Sequence, residues 1–453
     1  METLCKEVDE KFRVNLENEE IKDIKKAVDI MVRRFVEALH DINTEIKIDR
    51  PEFCGSMAED TRIWEQESGT DKCDLEFDYL IVIKSWPGCG NFEFFPSYKE
   101  GKMKIRYKVT DEQSVTDVYR YVSTAMKISF MNTVLKGTRA KCERNLCTRQ
   151  LSNIPKMADH GCQYCTVYRN TGNLRITKVP MPYGNFMQES FLSFVWSSIK
   201  RSVYKPFRPF IFPERSPDHK AENELQIKVD FNPVIEVNNK MIALKNDGTT
   251  MPLQESDIYF LFPYLPRLNN IYWRISTCHS ELKHLQETSK EHKLAFCVLK
   301  LIGKAFQYHG KIEYVKSYEA KCVVLNHIKK CQTPNRGAHI CLLDMIKDIY
   351  ECARNRDLPH PVLPSCNVYR MQDILSYSDI WEPQLKEKIC KYIFSLFDLQ
   401  DYVSLDDLYS DISSFGKLYE KFRRTKDDNL FVDFLRKKRE ASANEVENDM
   451  RMI

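Results

Sequence analysis

From Glu19 to Ile42 the apolar positions Ile24, Ala27, Val28, Met31, Val32, Phe35 and Leu39 recur at intervals of three and four. That spacing predicts one long helix with a single buried stripe. Lys22, Lys25, Lys26, Arg33 and Arg34 fall off the stripe, so the same helix carries a basic face. From Leu75 to Val82, in LEFDYLIV, the period changes to two. Side chains two apart on a strand point the same way, which puts Glu76 and Asp78 on one side, with Asp74, and Phe77 and Tyr79 on the other. A short strand is expected at Glu45–Ile48 and an extended region around Ser85–Pro96, where Pro87, Gly88 and Gly90 are turn signals. Met103–Val109 alternates as a strand, while Val115–Leu135 and Phe191–Val203 show helical spacing. Leu225–Val237 (LQIKVDFNPVIEV) reads as a strand with Asp230 inside its apolar run.

Beyond Cys278 the pattern is helical throughout, at Leu282–Gln307, Val315–Lys330, His339–Arg354, Leu385–Leu396 and Leu405–Phe422. The expected class is therefore α+β, with an N-terminal mixed β-sheet core, a long spine helix and a C-terminal helical lobe. A chain of 453 residues is also too long for one ordinary core. The expected boundaries are a flexible leader or short helix over 1–18, a core lobe over 19–275, a helical lobe over 276–422 and a charged tail over 423–453.

Composition narrows the class without naming a chemistry. No long uninterrupted apolar run suggests a membrane span, and the charged N-terminus lacks the apolar region of a secretion signal. Sixteen scattered cysteines in so large a chain point to reduced thiols, so a cytoplasmic location is expected. A net charge of +3 is too small to signal nucleic-acid binding, which would have to come from local clusters such as the first helix or Arg139, Lys141, Arg144 and Arg149.

The candidate chemistry starts from the acids. Two carboxylates projecting together from an apolar strand repel one another unless a cation sits between them, and hard oxygen ligands suit Mg²⁺ or Mn²⁺. Asp230, costly inside its own apolar run, is the candidate third ligand, with Glu236 a weaker one near the strand end. Glu76, Asp78 and Asp230 could hold two divalent ions for in-line displacement at phosphorus. Upstream, Gly55–Ser56 supplies a turn where backbone N–H groups and a hydroxyl can approach phosphate. No GxxxxGK[ST] loop is present, which argues against a P-loop enzyme. Separately, the spacing of Cys142, Cys147, Cys162 and Cys165, with His160, suits a structural zinc.

Taken in order, GS, LEFDYLIV, KVDFNPVIEV, YWRISTCHSELK and KSYEAKCVVL resemble the Mab-21/cyclic GMP-AMP synthase family, most of all the animal cyclic GMP-AMP synthase-like receptors. The resemblance covers roughly residues 20–420. It implies a bilobed nucleotidyltransferase fold that senses double-stranded nucleic acid and makes a cyclic dinucleotide second messenger from ATP and GTP in innate immune signalling. By the same resemblance, Gly55 and Ser56 match the phosphate-binding turn, and Glu76, Asp78 and Asp230 the metal-binding, catalytic acids. Arg274, Ser276 and Glu281 would contact the nucleotide, Ser317 and Tyr318 would form a pair whose tyrosine stacks on a base, and Lys300 or Lys304 would lie near triphosphate.

Two departures matter. The stretch Ser289–Cys297 is short and holds one His and one Cys, so the His/Cys-rich zinc thumb of the vertebrate enzymes is missing, and there is no long basic N-terminal tail. Both tilt the expected activator towards double-stranded RNA in preference to double-stranded DNA, gripped through Lys22, Lys26, Arg33, Arg139 and Lys141. A homodimer or higher assembly on nucleic acid is open. The alternatives are a non-catalytic Mab-21-like scaffold, a DNA-activated synthase, and a template-independent transferase that extends an RNA end. The spacer Met57–Cys73, polar and poor in apolar anchors, is expected to be a loose activation segment.

Overall fold

The computed structural model describes residues 1–42, 47–66, 73–85, 92–96, 101–109, 118–121, 174–178, 191–197, 224–237, 242–244, 250–252, 258–263, 272–331, 336–363, 366–371, 383–399, 402 and 404–451. The chain is α+β, with a mixed sheet and a helical C-terminal part. It divides into two compact units. One holds the described residues of Val14–Lys283, and the other holds Met1–Arg13 with the described residues of His284–Ile453.

In the first unit, α2 (Glu19–Ile42) forms as the stripe predicts, with Ile21, Ile24, Ala27, Val28, Val32 and Val36 buried. β1 (Lys47–Cys54) runs antiparallel to β3 (Cys73–Ser85), and β3 lies parallel to β9 (Glu224–Val237). The sheet continues from β9 through β12 (Tyr259–Pro263), β13 (Tyr272–Ser276) and β5 (Lys102–Val109) to β4 (Phe92–Pro96). The two-residue β2 (Glu65–Gln66) joins β3, and β6 (Val118–Tyr121) joins β5. On the other side of β9, β8 (Phe191–Ser197) pairs with it and with β7 (Leu174–Lys178). A separate two-stranded sheet holds β10 (Ile242–Leu244) and β11 (Thr250–Pro252).

β3 is a central strand, so both its faces carry apolar residues: Leu75, Phe77, Tyr79, Ile81 and Ile83 alternate with Leu80 and Val82, all buried. Leu80, Val82, Val234 and Phe260 form one cluster between β3, β9 and β12. Two helical expectations fail here. Val118–Tyr121 and Phe191–Ser197 are strands. Both are rich in Val, Phe, Tyr and Trp, residues that fit a pleated surface, and pairing with β5 and β9 overrides a spacing that also fits a helix. The rest of 115–135 lies outside the described residues, as do 198–203.

The second unit opens with α1 (Glu2–Lys11). Of the flexible leader or short helix expected over 1–18, the helix forms: Leu4, Cys5 and Val8 are buried against later helices, and the Met1 amino group donates to the Tyr402 carbonyl at 2.9 Å. The apolar positions Leu4, Val8 and Phe12 are too few among charged neighbours to stand out in the sequence. The helical region after β13 begins with α4 (Cys278–Gln286) and α5 (Lys290–Tyr308), two helices where one is expected. Ser289 caps α5, its side chain accepting from the His292 N–H at 3.3 Å. Then come α6 (Ser317–Lys330), α7 (Ala338–Asn355), the short α8 (Val368–Met371), α9 (Pro383–Leu399), α10 (Leu405–Thr425) and α11 (Asn429–Arg451). Phe306 meets Phe415 edge to face at 5.8 Å between centroids, and Phe415 packs tilted on Phe431 at 5.0 Å. Among the described residues no helix is long and apolar enough to cross a membrane.

Candidate metal and nucleotide site

The parallel register of β3 and β9 sets Glu76 beside Lys228 and Asp78 beside Asp230. Paired residues in a ladder share a face, so the acid face of β3 and that of β9 become one. One carboxylate oxygen from each of Glu76, Asp78 and Asp230 lies within 4.8 Å of the others, and all three residues are partly exposed. Residues about 150 positions apart thus meet on one patch. At an effective dielectric of about 20, two full charges at that distance repel by roughly 3 kcal/mol per pair. Arg62 offsets part of this: its Nη1 donates to Glu76 Oε2 at 2.9 Å, and the guanidinium is buried while Glu76 is 38% exposed. A set of hard, half-open oxygen donors fits Mg²⁺ or Mn²⁺ better than zinc.

The opposite face of β3 faces α2. Burial raises the Tyr79 hydroxyl pKa, and the hydroxyl hydrogen-bonds the Asp29 carboxylate, which also pairs with Arg33 at 2.9 Å. Phe53 packs on Tyr79 with centroids 5.2 Å apart, and Lys25 Nζ sits 5.0 Å from the Phe53 ring. Helix α2 therefore backs the strand that presents the acids.

The turn preceding the acids packs directly on them. Cys54 pairs with Asp78, and the chain then enters the four-residue α3 (Gly55–Ala58). Gly55 has φ +74°, where only glycine is unstrained, and a Cβ added there would lie 1.9 Å from Asp78 Oδ2. Glycine is required twice over, by its backbone and by the carboxylate against it. Ser56 follows, partly exposed, at the start of that turn. The spacer beyond is better anchored than expected: Met57, Glu59, Thr61, Arg62, Ile63 and Trp64 are all buried, while 67–72 lies outside the described residues. A loose segment over the whole of Met57–Cys73 is therefore not what the first half shows.

Glu236 belongs elsewhere. Its carboxylate takes Arg50 Nη2 at 2.6 Å, in a cluster with Glu52 and Asp49. Arg274 and Ser276 sit on β13, two strands from β9, in the rows of Val234 and Glu236. Strand spacing and rise place Arg274 roughly 16 Å from Asp230, a nucleotide's reach and beyond direct contact. Arg274 Cζ lies 5.9 Å from the Phe262 ring. Ser276 Oγ accepts from the Cys278 N–H at 3.3 Å, and the buried Glu281 carboxylate accepts from Thr277 Oγ1 at 2.6 Å.

In the helical unit, Lys300 and Lys304 both line one cavity of about 190 Å³ with Gln307, Glu313, Lys316 and Ser317. They lie one helical turn apart on the same wall. Lys300 is largely buried, its Nζ 5.3 Å from the Phe296 ring. Tyr318 is held by His360: Nδ1 of that ring accepts from the Val362 and Leu363 N–H groups, each at 3.1 Å, so Nε2 carries the proton and donates to the tyrosine oxygen at 3.0 Å.

On α2, Lys22, Lys26 and Arg33 are exposed as expected, but Lys22 pairs with Glu17 at 3.0 Å and Arg33 with Asp29. Arg139, Lys141, Cys142, Cys147, His160, Cys162 and Cys165 lie outside the described residues. No family model matches the chain, and no curated protein matches it.

Sequence reasoning missed Arg62, for which periodicity gives no signal, and gave no role to Lys316, the first residue of KSYEAKCVVL. It also missed a quartet in the helical unit, His292, His327, Cys331 and Cys341, whose ligand atoms lie within 4.8 Å of one another. A signal existed: His327 and Cys331 are four apart on one helix face.

Proposed function

We propose that the chain is a nucleotidyltransferase that makes a cyclic dinucleotide from ATP and GTP when double-stranded RNA activates it. The observation that carries the reading is the convergence of Glu76, Asp78 and Asp230 across the parallel β3–β9 pair. Their spacing suits a pair of divalent ions, which when bound supply Lewis acidity at phosphorus. The chain's own part is positional. Gly55 lets the Asp78 carboxylate approach the turn, Arg62 orients Glu76, and Ser56 offers a hydroxyl beside the acids. In the helical unit, Lys300, Lys304 and Lys316 line one cavity with Glu313, which pairs with Lys316 at 3.4 Å, and the remaining cationic excess suits triphosphate. Tyr318, fixed by His360, keeps a ring oriented for stacking on a base. The bilobed nucleotidyltransferase fold, the ATP and GTP substrates and the duplex activator come from the sequence resemblance. Three carboxylates held this close repel one another and are relieved by a bound cation, which supports a metal-dependent reading over a pure scaffold.

The test is to incubate the purified chain with labelled ATP and GTP, Mg²⁺ or Mn²⁺, and RNA and DNA duplexes side by side, resolving products by mass. A cyclic dinucleotide with RNA supports the reading, and a DNA-only response moves the activator. A lengthened polymer replaces the acceptor, and inertness under every condition leaves the scaffold.

A further inference from the structure

We propose that His292, His327, Cys331 and Cys341 form a structural zinc site that ties three helices of the C-terminal unit together. His292 lies in the first turn of α5, His327 in the last turn of α6 with Cys331 as its C-cap, and Cys341 in the first turn of α7. One ligand atom from each falls within 4.8 Å of the other three. A tetrahedron of zinc–nitrogen and zinc–sulfur bonds has edges of about 3.3–3.8 Å, so a contraction of roughly 1 Å closes the group on an ion.

The two histidines supply an independent observation. Both are buried, 3% and 5% exposed, and Nε2 of each has no hydrogen-bond partner. Buried ring nitrogens are ordinarily satisfied, so two of them in rings 5.5 Å apart, beside two thiols, leave lone pairs without an explained purpose. A metal explains both. The other nitrogen of His292 is engaged as metal-bound imidazoles usually are: Nδ1 lies 3.0 Å from Ser289 Oγ, which fixes the ring and leaves Nε2 as the ligand.

The donor set selects the ion. Two imidazoles and two sulfurs suit zinc and exclude the hard cations of the acid site. Four protein ligands leave no open position, so the role is structural rather than catalytic. Binding to two thiolates makes the ion and its sulfur ligands neutral together, which suits burial, and releases two protons to solvent. None of the four residues belongs to the cysteine cluster between 142 and 165, and the inference does not depend on nucleotide chemistry.

The test compares the full chain, purified without added zinc, with a Cys331→Ser, Cys341→Ser double variant by elemental analysis. The expected result is a loss of one zinc equivalent per chain, whatever zinc other cysteines hold. Equal zinc in both proteins would overturn the proposal. Should the variant fail to fold, the wild-type chain is stripped and reloaded with cobalt, which should give thiolate charge-transfer and tetrahedral d–d bands. Peptide mapping should then show Cys331 and Cys341 protected from alkylation by zinc. Equal alkylation of both with and without zinc refutes the site.

Discussion

Replacing Gly55 by alanine tests the geometry of the acid cluster with one methyl group. The new Cβ would lie 1.9 Å from Asp78 Oδ2, 2.6 Å from Cγ and 2.9 Å from Cβ. Ordinary contact begins near 3.4 Å, so the carboxylate must retreat by about 1.5 Å. The left-handed backbone adds a cost of about 1–2 kcal/mol for any residue with a side chain. For a unit of this size that lowers the melting temperature by roughly 2–8 °C, a modest loss. The functional loss is larger, because disturbing a group that positions a metal ligand typically costs about 10–100-fold in metal affinity. Calorimetric titration with Mn²⁺, with a thermal melt on the same sample, should therefore show affinity down about 10–100-fold in a chain that still folds. Ser56→Ala, which leaves Asp78 in place, should keep its Mn²⁺ affinity within a few-fold. A Gly55→Ala chain that binds Mn²⁺ as tightly as wild type would refute the argument that the turn and the carboxylate are packed as one unit.

Further outcomes follow from the same contacts. Arg62→Met removes the cation beside Glu76, so Mn²⁺ should raise the melting temperature of the variant more than that of wild type; an equal or smaller rise contradicts the pairing. Lys386 and Glu319 form a buried ion pair at 2.9 Å, with Lys386 Nζ 4.9 Å from the Tyr369 ring. Lys386→Met should cost about 3–5 kcal/mol in urea unfolding by stranding the carboxylate, with part recovered in the Lys386→Met, Glu319→Gln double variant. Among the basic residues of α2, Lys26→Glu should weaken duplex RNA binding more than Arg33→Glu, because Asp29 already engages Arg33. A lost phosphate contact should reduce the salt slope by about one; equal losses in the two variants would contradict the role given to Asp29, and unchanged binding in both would remove α2 from the interface.

Much of this arrangement was legible in the residues. Period-two alternation placed Glu76 and Asp78 on one face, and the cost of Asp230 inside an apolar strand marked it as their partner. What no periodicity could supply is register: only the parallel pairing of β3 with β9 sets Asp78 beside Asp230 rather than a residue higher or lower. The same limit explains Phe191–Ser197, whose spacing fits a helix until β9 offers a ladder, and Glu236, which Arg50 claims across 186 positions. The spine helix was readable because one stripe decides it alone. The His and Cys quartet was not assembled because its members come from three helices, and only the His327–Cys331 spacing is local.

The most direct measurement is a structure of the chain with Mn²⁺ and a non-hydrolysable ATP analogue, read in anomalous difference density. The account predicts two manganese peaks about 3.5–4 Å apart, held by Glu76, Asp78 and Asp230 and bridged to the nucleotide's phosphates. Nucleotide bound with no manganese at these three carboxylates would contradict it.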